Sequence, residues 1–316
     1  MGCSHQVAHF NTVLRPEEHL IGLLGRHHLF SGFRTYKNSL KGISTDVSMQ
    51  HPNAIDRPLY KDLYKQFGRG ETYKEFLKAN TLFGVYEPFI PANIEITGNK
   101  LLMPNMAYTF KYNHEWRFCA ECINEDTENG IIPYFLLEHQ LPTMTICHKH
   151  AKGLFVFCDP CREQFKGFER HSYPIGTTCR YCGSEQEPID TFVDADVIWL
   201  QNSMLRLMKG EVEIPNLELI KQAYQRELGL YKHEGGFTLK QRDFNRSIQK
   251  KLDNYFDPRF YRALFNNCDK ENQAKRTPSL HFYSVMFKEN VVFSPVVHLL
   301  IIRMLFGDID NIPKIS

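Results

Sequence analysis

Arg117-Phe118-Cys119-Ala120-Glu121-Cys122 and, 24 residues further on, Cys147-His148-Lys149-His150 decide how this sequence is organised. A second array follows at once: Cys158-Asp159-Pro160-Cys161, then 17 residues, then Cys179-Arg180-Tyr181-Cys182. A two-residue gap allows a tight turn to aim both side chains at one ion, about 2.3 Å from each sulfur, as two corners of a tetrahedron. A second such turn supplies the other two corners. The expected ligand sets are therefore Cys119, Cys122, Cys147 and His150 for one ion, and Cys158, Cys161, Cys179 and Cys182 for another. Four protein ligands leave no open position for substrate or an activated water, so both sites read as structural. Thiolate-rich tetrahedral sites in ribbon-like segments favour zinc over iron–sulfur clusters. Of the two histidines in the first array, His150 keeps the two-residue gap and is preferred. His148 reads as a solvated neighbour. A redox Cys-x-x-Cys would sit on a βαβ background that the sequence does not offer.

Outside these arrays the composition is ordinary. The chain has 316 residues, 42% hydrophobic and 23% charged, with a formal net charge of +2. That is globular composition, and the overall charge names no partner. Of the nine cysteines, only Cys3 and Cys268 lie outside the arrays; both read as small apolar residues. Paired cysteines in a reducing compartment are metal ligands more often than disulfides. No run reaches the ~18 apolar residues of a membrane span; the nearest, Val296 to Phe306, is short and carries His298 and Arg303. Met1-Gly2-Cys3-Ser4-His5-Gln6 lacks the apolar run of a secretory signal. It also lacks the Ser or Thr that myristoylation needs where Gln6 stands. A cytoplasmic protein is expected.

Working outward, three segments separate. Residues 1–110 are expected to be a helical N-terminal domain of helix-turn-helix type. Pro16 is read as a first helical residue with Glu17 and Glu18 at the positive end of the dipole. Leu20, Ile21, Leu24 and His28 follow at helical spacing, and Gly32 stops the helix. Further helices are expected over Tyr60–Phe67 and Thr72–Leu82. Residues 111–190 form a small β/zinc-ribbon module with two zinc sites, with β-like runs at Tyr134–Leu137 and Leu154–Phe157. Residues 191–316 return to helix: Asp194–Met208 with Trp199 and Leu200 as core, then Leu217–Leu228 closed by Gly229. Thr238 and Gln241 fit a capping box, after which Phe244, Ile248, Leu252 and Phe256 line one inward face. Ser294-Pro295 opens a helix that is apolar nearly all round and hence buried. The fold class is mainly α.

The segment 231–262 carries eight Lys/Arg against four Asp/Glu. Lys240, Arg242, Arg246, Lys250 and Lys251 are the candidates for phosphate contact, as on a helix-turn-helix; the alternative is a solvated helix face. Arg117, Lys149, Lys152, Arg162, Lys166, Arg170 and Arg180 add positive charge around the cysteines. Leu23 and Phe30 are read as core rather than interface, and His27-His28 lacks a third ligand. The sequence has no Gly-rich phosphate loop, H-E-x-x-H or G-x-S-x-G. A non-enzymatic role is expected.

At these residues the chain resembles the TniQ/TnsD family of transposon target-selection proteins. The matching run is Arg117 to Cys122, then Tyr134 to Glu138, Gln140-Leu141-Pro142, and Cys147 to His150. Family members typically read RFCPxC, then WQLP-type residues, then CPxH. Here Ala120, His139 and His148 replace a proline, a tryptophan and a proline, and no ligand is lost. Pro16-Glu17-Glu18-His19-Leu20 with Arg26, Asn80-Thr81-Leu82-Phe83 with Tyr86, Pro88 and Phe89, and the stretch from Phe287 to Gly307 are also similar. The resemblance implies a non-catalytic protein that recognises a target and recruits an AAA+ ATPase regulator. TnsD-type members bind an attachment site in DNA directly; short TniQ-type members join a CRISPR effector complex with its guide RNA. Because TnsD-type chains usually continue well past Ser316, the sequence reads as a short adaptor or a truncated reader of bacterial, cytoplasmic origin. The ATPase contact is expected in the N-terminal segment, and a homodimer is allowed for. Outside the family, an independent zinc-dependent transcription regulator is the competing reading.

Overall fold

The computed structural model describes residues 12–46, 52–105, 115–156, 174, 176–179, 182–189, 192–231, 238–265 and 282–313. The architecture is mainly helical, and β-pairing among the described residues is limited to isolated bridges. Two compact units emerge. The first comprises Met1–Phe83, Ile96–Leu102 and His114–Thr191; the second comprises Gly84–Glu95, Met103–Asn113 and Phe192–Ser316. Cys3 and Cys268 lie outside the described residues.

In the first unit, α1 spans Leu20–Ser31, starting four residues later than Pro16 suggests. Its N-cap is His19, whose Nδ1 accepts the Ile21 amide at 3.1 Å. Pro16 and Glu17 form a turn instead, with Glu17 at a φ of 60°. The reason is tertiary. Glu18 is fully buried and takes both Arg26 Nε and Nη2, while its backbone bridges to Leu136. A carboxylate committed to a buried ion pair cannot serve the helix dipole. At the other end Gly32, with a φ of 70°, closes the helix as its spacing predicts. Leu20, Ile21, Leu23 and Leu24 are buried, whereas Phe30 is exposed.

Then come α2 (Tyr36–Ser39), which packs on α1, and α3 (Pro58–Phe67), started by its proline. Helix α4 (Tyr73–Asn80) packs on α3 and opens with a Thr72–Glu75 capping box. A single turn, α5 (Phe83–Tyr86), follows, its residues from Gly84 on belonging to the second unit. Helix α6 (Ala120–Glu128) opens the cysteine segment. The two β-like runs form no ladder among the described residues. Leu136 bridges to Glu18 and Phe155 to Phe118, each as a single pair. The backbone groups of the first run are spent on the start of α1: His19 N donates to Phe135 O, and Leu137 N to Glu17 O.

The second unit contains α7 (Ala195–Met208), α8 (Leu217–Leu228), α9 (Leu239–Asp253), α10 (Pro258–Leu264), α11 (Phe282–Phe287) and α12 (Pro295–Phe306). Asp194, Asn216, Thr238 and Ser294 cap α7, α8, α9 and α12 with their side chains. Helix α12 is buried from Pro295 through Ile302 and packs on α7 and α8. Its 12 residues span about 18 Å at 1.5 Å each, and no described helix is long and apolar enough to cross a membrane. Leu200 is core, while Trp199 is half-buried and donates to Asp308 at 2.9 Å. On α9, Ile248 and Leu252 turn inward, and Phe256 beyond it is buried, but Phe244 is exposed. The inward stripe therefore starts one turn later than i, i+4 spacing suggests.

Candidate metal centre

Cys119 is the N-cap of α6 and Cys122 lies in its first turn, so a helix start aims both sulfurs the same way. The other pair sits on a tight hairpin. Ala151 N donates to Cys147 O at 2.8 Å, Cys147 N to Lys152 O at 2.8 Å, and Leu154 N to Thr145 O at 2.8 Å. Ala151 takes a φ of 52° to close the turn. Arg117 and Gln140 bring helix and hairpin together. Arg117 N donates to Gln140 Oε1 and Gln140 Nε2 returns a bond to Arg117 O, at 2.9 and 2.8 Å. The buried guanidinium then donates to the carbonyls of Gln140, Leu141 and Met144. Arg117 is thus an internal clamp, not a surface charge for phosphate.

Cys119, Cys122, Cys147 and His150 converge. Cys119 Sγ and Cys147 Sγ each lie 3.6 Å from His150 Nδ1; Cys122 Sγ lies 3.4 Å from Nδ1 and 3.8 Å from Cys147 Sγ. Metal–sulfur bonds of about 2.3 Å and metal–nitrogen bonds of about 2.0 Å give tetrahedral edges of about 3.8 and 3.5 Å. The donor set and its spacing fit one tetrahedral ion without rearrangement. Hydrogen bonds from Cys122 and Cys147 hold the Cys119 thiol far below its usual range, while Cys119 in turn pushes both partners up. A thiolate at Cys119 also faces the positive end of α6. This cluster could hold a metal ion.

A ring of groups that spacing alone does not reveal braces the hairpin. His150 turns its Nε2 to Glu125 Oε1 at 3.0 Å, and Lys149 pairs with the other Glu125 oxygen. Glu125 is three residues after Cys122 on the same face of α6, a signal the helix period carries. On the far side, the 3-10 turn Glu138–Gln140 presents Glu138 to His148 Nδ1 at 2.9 Å and His139 Nε2 to Cys147 Sγ at 3.4 Å. His148 is thus anchored to a buried carboxylate rather than merely solvated. Burial pushes the His139 ring down to about 3, so it is neutral.

Of the second array, Cys158 and Cys161 lie outside the described residues, as do Arg162, Lys166, Arg170 and Arg180. Cys179 is buried and Cys182 exposed. Their hairpin repeats the first bond for bond. Gly183 N donates to Cys179 O, Cys179 N to Ser184 O, and Gln186 N to Thr177 O, at 2.9, 2.8 and 2.7 Å. The Thr178–Glu185 bridge sits where Ile146–Gly153 sits in the first, and Gly183, at a φ of 71°, takes the place of Ala151.

On α9, Lys240, Arg242, Arg246, Lys250 and Lys251 are all exposed; Arg246 pairs with Asp243 at 3.2 Å. His27 and His28 do not form a metal pair: His27 Nε2 meets Ser39 O at 3.2 Å, and the His28 ring packs on Tyr36.

The TniQ family model matches residues 10–154, a stretch that spans the whole first cluster and stops short of Cys158. A TniQ domain implies a role in target selection for Tn7-like transposition. Comparison with curated proteins finds no match.

Proposed function

We propose that this chain is a non-catalytic adaptor for target selection in Tn7-like transposition, working in a bacterial cytoplasm. It links target DNA, or a CRISPR effector complex with its guide RNA, to an AAA+ transposition regulator. The observation that carries the reading is the TniQ match, which encloses all four residues of the converged cluster. On this reading the chain holds two structural zinc ions. One is bound by Cys119, Cys122, Cys147 and His150; the other, by Cys158, Cys161, Cys179 and Cys182, is supported by the repeated hairpin at Cys179. The segments 1–110, 111–190 and 191–316 then divide the work into ATPase contact, metal-held core and nucleic-acid contact.

The exposed cations of α9 favour a second reading, direct recognition of an attachment site by Lys240, Arg242, Arg246, Lys250 and Lys251. Phosphate contacts weaken steeply with salt, while base readout keeps a site preference. Titrating the purified chain against random and attachment-site duplexes across a salt series separates the two. Weak, salt-sensitive and indifferent binding supports the adaptor; tight, site-preferring binding supports the direct reader. A pull-down with the AAA+ regulator tests what both share. No association, with or without DNA, would leave an independent zinc-dependent regulator as the better account.

A further inference from the structure

Each residue of the hairpin Cys147-His148-Lys149-His150 has a partner outside it. Glu125 takes Lys149 and His150 from the α6 side. Glu138 takes His148, and His139 reaches Cys147, from the side of the 3-10 turn. Three of these contacts are ordinary carboxylate pairs. The fourth is different, because it falls on a ligand atom: His139 Nε2 lies 3.4 Å from Cys147 Sγ, within reach of an N–H···S hydrogen bond, and its ring is only 2% exposed.

We propose that His139 is a positioning residue for the metal centre, donating its Nε2–H to the Cys147 thiolate. A metal-bound thiolate can only accept, so the contact selects the ring tautomer that carries its proton on Nε2. Three thiolates and one neutral imidazole leave a divalent ion with a net charge of −1, in a site where Cys119 and Cys147 are fully buried. An N–H dipole aimed at one sulfur spreads that charge, which strengthens retention of the ion and makes Cys147 a poorer nucleophile. The neighbouring Glu138–His148 bond fixes the turn from which His139 projects. Groups that orient or polarise metal ligands in this way typically change metal affinity by about 10–100-fold.

The inference rests on the metal reading given above, and the test keeps the two apart. Zinc affinity is measured by chelator competition on the full chain and on His139→Phe and His139→Gln. Each is also loaded with cobalt(II) to follow the thiolate-to-metal charge-transfer band. Phe fills the buried space without a donor; Gln keeps an amide N–H near the position of Nε2. Expected are an affinity about 10–100-fold lower for His139→Phe, a band shifted to lower energy, and recovery of both by His139→Gln. If His139→Phe matches the wild type in affinity and band, the proposal is wrong although the metal site stands. If the wild type retains no metal, the metal reading itself fails. Should His139→Phe not fold, the histidine tautomer of the zinc-loaded wild type, read by nitrogen-15 NMR, decides. An Nε2–H form supports the donor, and an Nδ1–H form overturns it.

Discussion

Arg26→Met removes half of the ion pair that sets the start of α1. Arg26 and Glu18 have side chains only 4% and 0% exposed. The guanidinium gives Nε to one carboxylate oxygen at 2.7 Å and Nη2 to the other, and Nη2 also donates to Val13 O at 2.8 Å. Methionine matches the length and packing but leaves the carboxylate buried, with the Arg15 amide as its remaining hydrogen bond from this network. Stranding one partner of a buried pair costs about 3–5 kcal/mol, whereas replacing both by apolar groups is often neutral. Against a usual stability of about 5–15 kcal/mol, the single change should remove a large share. Glu18→Leu/Arg26→Met should recover most of it. Urea unfolding of the zinc-loaded chain, followed by circular dichroism, measures both midpoints. A loss below about 1 kcal/mol for Arg26→Met, or a double variant weaker than the single, would refute the reasoning, since both outcomes contradict the cost of an unpaired buried charge.

Three further outcomes follow from the same geometry. Glu125→Ala should lower metal affinity by about 10-fold or more through His150. Lys149→Ala should leave it nearly unchanged, because that exposed pair is screened; chelator competition compares them. His298 is fully buried, stacked 4.8 Å from Phe89, with no partner for either ring nitrogen among the described residues, and burial pushes it down to about 3. Since the unfolded ring titrates near 6.5, stability should fall by about 1.4 kcal/mol per pH unit as pH drops below 6.5. His298→Phe should flatten that slope in urea midpoints taken at pH 7 and 5. Arg246→Glu should weaken DNA binding and make its salt dependence shallower without changing metal content. Unaltered affinity and slope would remove α9 from the interface.

What the sequence made legible was local. Caps and stops obey rules that need only neighbours: Thr238 with Gln241, Gly229 after α8, Ser294-Pro295 before α12. The convergence of Cys119, Cys122, Cys147 and His150 was legible for the same reason, because a turn two residues wide aims its own ligands. The misses were tertiary. Pro16-Glu17-Glu18 has the form of a helix start, but Glu18 is drawn to Arg26 and the chain beside it to Phe135 and Leu137. Arg117 has the form of a surface cation but spends its donors on buried carbonyls. Phe244 fits the apolar stripe by period and lies outside it because the core begins at Ile248. His139 carries no spacing signature that marks it as a partner of the cluster; only packing brings it to Cys147.

The most direct test of the account is native mass spectrometry of the purified chain beside Cys147→Ser and Cys179→Ser. Two zinc ions per wild-type chain, and one in each variant, is the predicted result. A wild-type chain that is folded, binds the AAA+ regulator and carries no metal would contradict it.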